Sequence, residues 1–261
     1  MDEVRGVLLD IDGVLTVSWE PLPGAVEAVE AIRDAGLPLA LLTNTTSKSR
    51  ARIATLLACA RFPVGPDDVL TPAAAAAAHL GEHHPEARCL LLTSGDIAED
   101  LDGVRLVGPD DEPEVVLLGG AGPEFGYREL NAVFGYVQQG AHLVAMHRNL
   151  YWRTDAGLQL DTGALLVGLE RAAGIEATVV GKPAGAFFDA ALRMLGVGPA
   201  EAVMVGDDVE ADVLGAQADG ITGVLVRTGK FKKQDEDGVD GDRPAHVLDS
   251  IADLPRLLGL R

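Results

Sequence analysis

Basic residues are few in this chain. Twenty-one Lys and Arg stand against 40 Asp and Glu, a formal charge of −19, which argues against nucleic acid or an anionic membrane surface as a partner. Any phosphate bound here must be attracted by a local arrangement of groups. Only five of those cations are lysine, at Lys48, Lys182, Lys230, Lys232 and Lys233, so a lysine inside a motif stands out. Cysteine is scarcer still. Cys59 and Cys89 lie in apolar stretches without CxxC spacing, which gives no support for a disulfide framework or a zinc site and fits a reducing, cytoplasmic setting. No apolar run reaches the roughly 18 residues of a membrane span, and the opening MDEVRG passes straight into a strand pattern with no leader expected.

What is present is an apolar, alternating chain. With 48% apolar residues over 261 positions, it can bury a sizeable core in one or two domains. Short apolar runs alternate with helical patterns, the signature of βα units that build a parallel sheet, so the expected fold class is α/β. Strands are expected at GVLLD (6–10), PLALLT (38–43), RCLLLT (88–93), EVVLLG (114–119), AHLVAM (141–146), ATVVG (177–181), EAVMVG (201–206) and TGVLVR (222–227). PGAVEAVEAIRDAG reads as a helix opened by Pro23 and closed by Gly36, with Val26, Val29, Ile32 and Ala35 on one face. The alanine run 73–78, after Thr-Pro, reads as a second helix. Eight strands exceed the needs of one compact mononucleotide fold. We expect an inserted domain over 83–179 and a core from 1–82 and 180–261, because polar motifs at strand ends occur only outside the insert.

Four expected strand ends carry polar groups of complementary kinds, where open parallel sheets gather ligands. The first is Asp10 and Asp12 with Gly13; alone, DxDG is usually a turn. The second is TNTTSKSR (43–50), where Thr45, Thr46 or Ser47 could cap a helix and its free N–H groups could hold a phosphate. The third, GKP, sets Lys182 just before a helix-starting proline, either as a surface lysine or as a partner of phosphate or carboxylate. The fourth, GDDVEAD (206–212), supplies Asp207, Asp208 and Asp212, with Asp208 as a cap and Asp212 one turn on. Capping explains one acid but not three. Together these oxygens suit Mg²⁺, which prefers hard ligands and commonly shares them with a substrate phosphate.

In the order DIDGV, TNTT, GKP, GDDVEAD, residues 6–230 resemble the haloacid dehalogenase superfamily of phosphohydrolases. The insert resembles its class II, type A cap, which implies a Rossmann-like parallel-sheet core carrying an inserted α/β cap. TNTTSKSR, ATVVGKPAGAFFDAAL, EAVMVGDDVEADVLGAQ and VRTGKFKKQDED look most like the phospholysine phosphohistidine inorganic pyrophosphate phosphatase group. The resemblance implies a Mg²⁺-dependent phosphatase of small phosphorylated compounds. Asp10 would be the nucleophile that forms an aspartyl-phosphate, and Asp12 the acid and then the base. Mg²⁺ would be held by the Asp10 carboxylate, the Asp12 backbone carbonyl and Asp207, with Asp208 and Asp212 behind them. Thr43 and Asn44 would hold phosphoryl oxygens, Lys182 would offset charge, and a homodimer is expected. Pyrophosphate or phosphoamino acids are alternative substrates. A haloacid dehalogenase would lack the second acid, a receiver-like signalling protein would be smaller, and a retired phosphate-binding protein would not need the intact acid set.

Within the insert, HRNLYWRTDAGLQLDTG (147–163) is a long polar and aromatic connection. It is either a functional loop or a solvated hairpin. Arg148, Tyr151, Trp152 and Arg153 are its candidates for contact with a leaving group, or equally with a partner subunit. His79, His83 and His84 have helical spacing for a metal pair but no evident third ligand, so a solvated helix end is expected there.

Overall fold

The computed structural model describes residues 4–154 and 157–260, with the side chains of 152–158 outside that description. Two compact units divide the chain: residues up to Thr43 with Arg50–Leu70 and Lys182 onward, and Asn44–Ser49 with Thr71–Gly181.

The first unit is built on a six-stranded parallel sheet. Its order is His246–Leu248, Thr222–Val226, Ala202–Gly206, Gly6–Asp10, Leu39–Leu42, Val69–Leu70. GVLLD and AVMVG are buried along their whole length, as strands covered on both faces must be, and their sequences are correspondingly apolar without alternation. Gly6–Asp10 lies between Leu39–Leu42 and Ala202–Gly206, where the strand order reverses; open parallel sheets gather ligands beyond the carboxyl ends at such a point. Register pairs Asp10 with Leu42 and Leu9 with Val205, so the residues after these three strands share one rim. Helix Ala25–Asp34 buries Ala25, Ala28, Val29 and Ile32. Ala35, expected on that face, is exposed because the helix ends at Asp34 and Gly36 turns the chain at φ +71°.

The second unit carries a smaller parallel sheet in the order Thr178–Val179, His142–Ala145, Val115–Leu118, Cys89–Leu92. Strand alternation sorts its two cores. Val115 and Leu117 pack with Ala73, Ala76 and Leu80 of helix Pro72–His83. Val116 and Leu118 pack with Val133 and Val137 of Tyr127–Gln138 and with Leu166 and Leu169 of Thr162–Ala173. The helix Pro72–His83, grouped by sequence with the first domain, falls in the second unit, in its segment Thr71–Gly181. Thr71 caps it, its hydroxyl accepting from the Ala74 N–H at 3.3 Å. The connection 147–163 contains an antiparallel hairpin, Tyr151–Thr154 with Gly157–Leu160. No helix among the described residues is long and apolar enough to cross a membrane.

Candidate active site

Asp10 ends the central strand of the first unit and is buried. Its Oδ1 accepts a hydrogen bond from Lys182 Nζ at 2.5 Å, and the same ammonium reaches Asp212 Oδ1 at 2.7 Å. All three side chains are almost wholly removed from solvent. Burial pushes the Asp10 carboxyl well above the usual carboxylate range; Lys182 opposes this while Asp212 and Asp207 add to it. Burial alone would lower the Lys182 ammonium, but Asp10 and Asp212 outweigh it and hold it above the ordinary lysine range. The Lys182 ammonium therefore bridges two carboxylates, with a third acid beside them.

That third acid, Asp207, follows the strand Ala202–Gly206 and is 1% exposed. Its Oδ2 accepts the Lys230 backbone N–H at 2.6 Å. Two glycines close around that oxygen: a Cβ on Gly13 would stand 2.1 Å from it, and one on Gly229 1.9 Å. Both glycines have positive φ, +93° and +59°, which they adopt without strain. The Thr228 hydroxyl donates to the Gly13 carbonyl at 2.5 Å and ties the two loops together. Thr228, Gly229 and Lys230 thus form a clasp that fixes one oxygen of Asp207. The other oxygen, Oδ1, is buried with no hydrogen-bond partner. Burial and Asp212 raise the Asp207 carboxyl to about 7, against the Lys230 N–H.

An unpartnered buried carboxylate oxygen is costly unless a proton or cation meets it. Asp10, Asp207 and Asp212 each bring an oxygen to within 4.8 Å of the other two. This donor set, all oxygen and all carboxylate, fits Mg²⁺ or a similarly hard ion. Asp12 lies two residues past the strand tip and is exposed, between buried Ile11 and Gly13. It is therefore accessible for proton exchange while Asp10 is shielded.

The remaining sequence candidates divide. Thr43 is buried on the same rim, its N–H donating to the Leu70 carbonyl at 3.3 Å. Asn44 opens the segment grouped with the second unit. The helix after TNTTSKS begins only at Arg50, so Thr45, Thr46 and Ser47 lie upstream of its first turn and do not cap it. Asp208 does cap its turn, accepting from the Ala211 N–H at 3.0 Å, and faces Lys230 Nζ at 3.4 Å. It does not join the three gathered acids, whereas Asp212 does. Arg148 donates two hydrogen bonds to Glu170, of 2.8 and 2.7 Å, inside the second unit. Tyr151 is exposed; the Trp152 and Arg153 side chains lie outside the described residues. Sequence reasoning missed the Thr228–Lys230 clasp as part of the site, although a scarce lysine after a glycine at a strand end was a signal available to it.

The haloacid dehalogenase-like hydrolase model matches residues 7–106, and the HAD-hydrolase-like model matches residues 179–254. The phospholysine phosphohistidine inorganic pyrophosphate phosphatase of Danio rerio is 36% identical over 264 residues, covering 99% of this chain and 96% of that protein. The chain belongs to the haloacid dehalogenase-like hydrolase family. Among solved structures, the p-nitrophenyl phosphatase from Archaeoglobus fulgidus superposes with a TM-score of 0.91 at 26% identity, over 98% of this chain and 100% of that one. A glycerol phosphate phosphatase from Mycobacterium tuberculosis, solved in complex with magnesium, gives 0.87 at 28% identity, over 97% of this chain and 76% of that one. The two matched family segments contain Asp10, Asp12 and Thr43, then Lys182, Asp207, Asp212 and Thr228. Every side chain of the described cluster therefore falls inside this hydrolase family's matched regions.

Proposed function

We propose that this haloacid dehalogenase-like hydrolase is a Mg²⁺-dependent phosphatase of small phosphorylated compounds, working through an aspartyl-phosphate on Asp10. The observation that carries the reading is the buried Asp10–Lys182–Asp212 group beside the unpartnered Oδ1 of Asp207. The phosphatase activity itself is supported by the relatives that bear that name.

In this reading the first unit is the hydrolase core and the second its cap. An Asp10 carboxylate oxygen attacks phosphorus, the bond from phosphorus to the leaving oxygen breaks, and Asp12 gives that oxygen a proton. Asp12 then takes a proton from water as the water oxygen attacks the same phosphorus, freeing phosphate and the Asp10 carboxylate. Lys182 offsets the negative charge gathered around Asp10, and Thr43 and Asn44 orient the phosphoryl oxygens. Asp10, the Asp12 backbone carbonyl and Asp207 hold Mg²⁺, with Asp208 and Asp212 supporting them. The ion, when bound, neutralises phosphoryl charge. Pyrophosphate and phosphoamino acids are the first alternatives to test as substrates, because the Danio rerio relative is named for them.

The test is release of p-nitrophenol from p-nitrophenyl phosphate by the purified chain, with Mg²⁺ and with chelator. Activity is expected only with Mg²⁺, and Asp10→Asn is expected to lower it by at least about a thousandfold. Asp12→Ala is expected to reduce turnover most for poor leaving groups, which need the proton. Undiminished turnover in Asp10→Asn would overturn the nucleophile assignment.

A further inference from the structure

We propose that His79, His83, His84 and His142 form a second metal site, on the second unit, that takes a borderline divalent cation of the zinc class. Four of the chain's six histidines meet at this one corner. His79 and His83 stand one turn apart on helix Pro72–His83, with ring centroids 4.3 Å apart and planes 21° from parallel. His84, which closes the helix, lies 6.0 Å from His79. The ligand that the linear spacing lacked comes from another element: His142, at the start of strand His142–Ala145, places its ring 4.5 Å from His84. The four imidazoles make one continuous chain of ring contacts.

Four further features bear on a cation. His83 Nδ1 lies 3.1 Å from the His79 carbonyl oxygen. A carbonyl can only accept, so Nδ1 donates there and, in the neutral ring, Nε2 presents its lone pair, the arrangement that typically fixes a ligating histidine. The cluster sits at the carboxyl end of its helix, where the backbone dipole favours positive charge. His79 and His84 are half-buried and His83 and His142 exposed; as placed, no three of them bring ring nitrogens within 4.8 Å of one another, so sharing one ion requires rotation of these solvent-accessible side chains. Burial and the neighbouring imidazoles hold His79 and His84 below the ordinary histidine range, keeping them neutral ligands. Imidazole nitrogen favours Zn²⁺, Ni²⁺ or Cu²⁺ over Mg²⁺, so this corner and the carboxylate cluster call for different ions.

The experiment uses the full chain in excess Mg²⁺, which occupies the carboxylates, and measures Zn²⁺ affinity by competition with a chromophoric chelator. Binding of one Zn²⁺ per chain is expected, with a rise in melting temperature. Loss of a group that merely supports a ligand costs about 10- to 100-fold in affinity, so His79→Ala and His142→Ala are each expected to weaken binding by at least about tenfold. Both variants should keep wild-type turnover of p-nitrophenyl phosphate, which also reports that they fold. Asp207→Asn should bind Zn²⁺ as the wild type does. No binding by the wild type, unchanged affinity in either histidine variant, or loss of Zn²⁺ binding in Asp207→Asn would overturn the proposal.

Discussion

The two units treat charge beside a parallel sheet in opposite ways, half-buried and paired in one, buried and under-paired in the other. In the second unit Arg148 and Glu170 meet fork to fork, the Ala177 N–H donates to Glu170 at 2.7 Å, and Arg148 donates to the Ala177 carbonyl at 3.3 Å. Each charge there has its answer within the fold. In the first unit one lysine faces Asp10 and Asp212, while Asp207 keeps an oxygen that nothing meets. A satisfied pair is architecture, and an under-satisfied one is where an outside ligand can gain. The harshest way to break the contrast is Lys182→Met. It leaves two carboxylates buried without their cation, so urea denaturation should show a loss of about 3–5 kcal/mol, and phosphatase activity should vanish.

Removing a negative charge should act with opposite sign in the two units. Asp207→Asn keeps an oxygen to accept the Lys230 N–H but relieves the repulsion from Asp212, so in chelator it is expected to stabilise the protein by about 1–2 kcal/mol. Its melting temperature should then no longer respond to Mg²⁺, whereas the wild type's should rise. Glu170→Gln removes one arm of a satisfied pair and should destabilise by about 1–2 kcal/mol at any Mg²⁺ concentration. If both variants shifted stability the same way, the distinction between the units would fail.

The same contrast explains what was legible in the sequence. All eight expected strands are present, because each lies in an apolar run between turn residues, although in ATVVG only Thr178–Val179 pairs as a strand. Outside those eight and the hairpin of the 147–163 connection, which was one of two readings of that segment, the strands missed are Thr16–Val17, Glu20–Pro21, Val69–Leu70 and His246–Leu248, too short for period-two patterning to emerge. Within the candidate site, Asp10 and Asp207 could be named because parallel strands bring successive tips to one rim, and Asp212 because it lies one turn past Asp208, whereas Lys182, named from its motif, follows Thr178–Val179 of the other sheet. The Arg148–Glu170 pair was not legible because nothing in the linear order announces Glu170, 22 positions on, as a partner. His142 was invisible for the same reason, since only the sheet brings it to His84.

A subtler break targets the clasp on Asp207. Thr228→Val removes the hydroxyl that ties the Thr228–Lys230 loop to Gly13 but keeps its shape. Metal-site partners of this kind are worth about tenfold or more in affinity. Mg²⁺ titration followed by melting temperature should therefore show binding weakened by about tenfold, and Thr228→Ser should restore it. An equal loss in both variants would point to packing rather than to the hydrogen bond.

The smallest expected effect tests whether the second unit's buried histidine is also architecture. His147 is 1% exposed, its Nδ1 accepts the Asn149 N–H at 3.3 Å, and its Nε2 lies 3.8 Å from Asp161 Oδ1. Burial lowers its pKa, against the pull of Asp161. The folded state therefore holds the neutral ring, while the unfolded chain takes up a proton near the ordinary value of about 6.5. Where the unfolded state binds more protons, stability falls as pH falls. The His147 contribution is thus complete above about pH 6.5 and is lost progressively from there down to the depressed folded value. His147→Gln, which cannot titrate, should flatten the dependence of urea midpoint on pH over that interval and leave p-nitrophenyl phosphate turnover at neutral pH near the wild-type level. A slope unchanged by the substitution would assign the acid sensitivity to the carboxylates of the first unit instead.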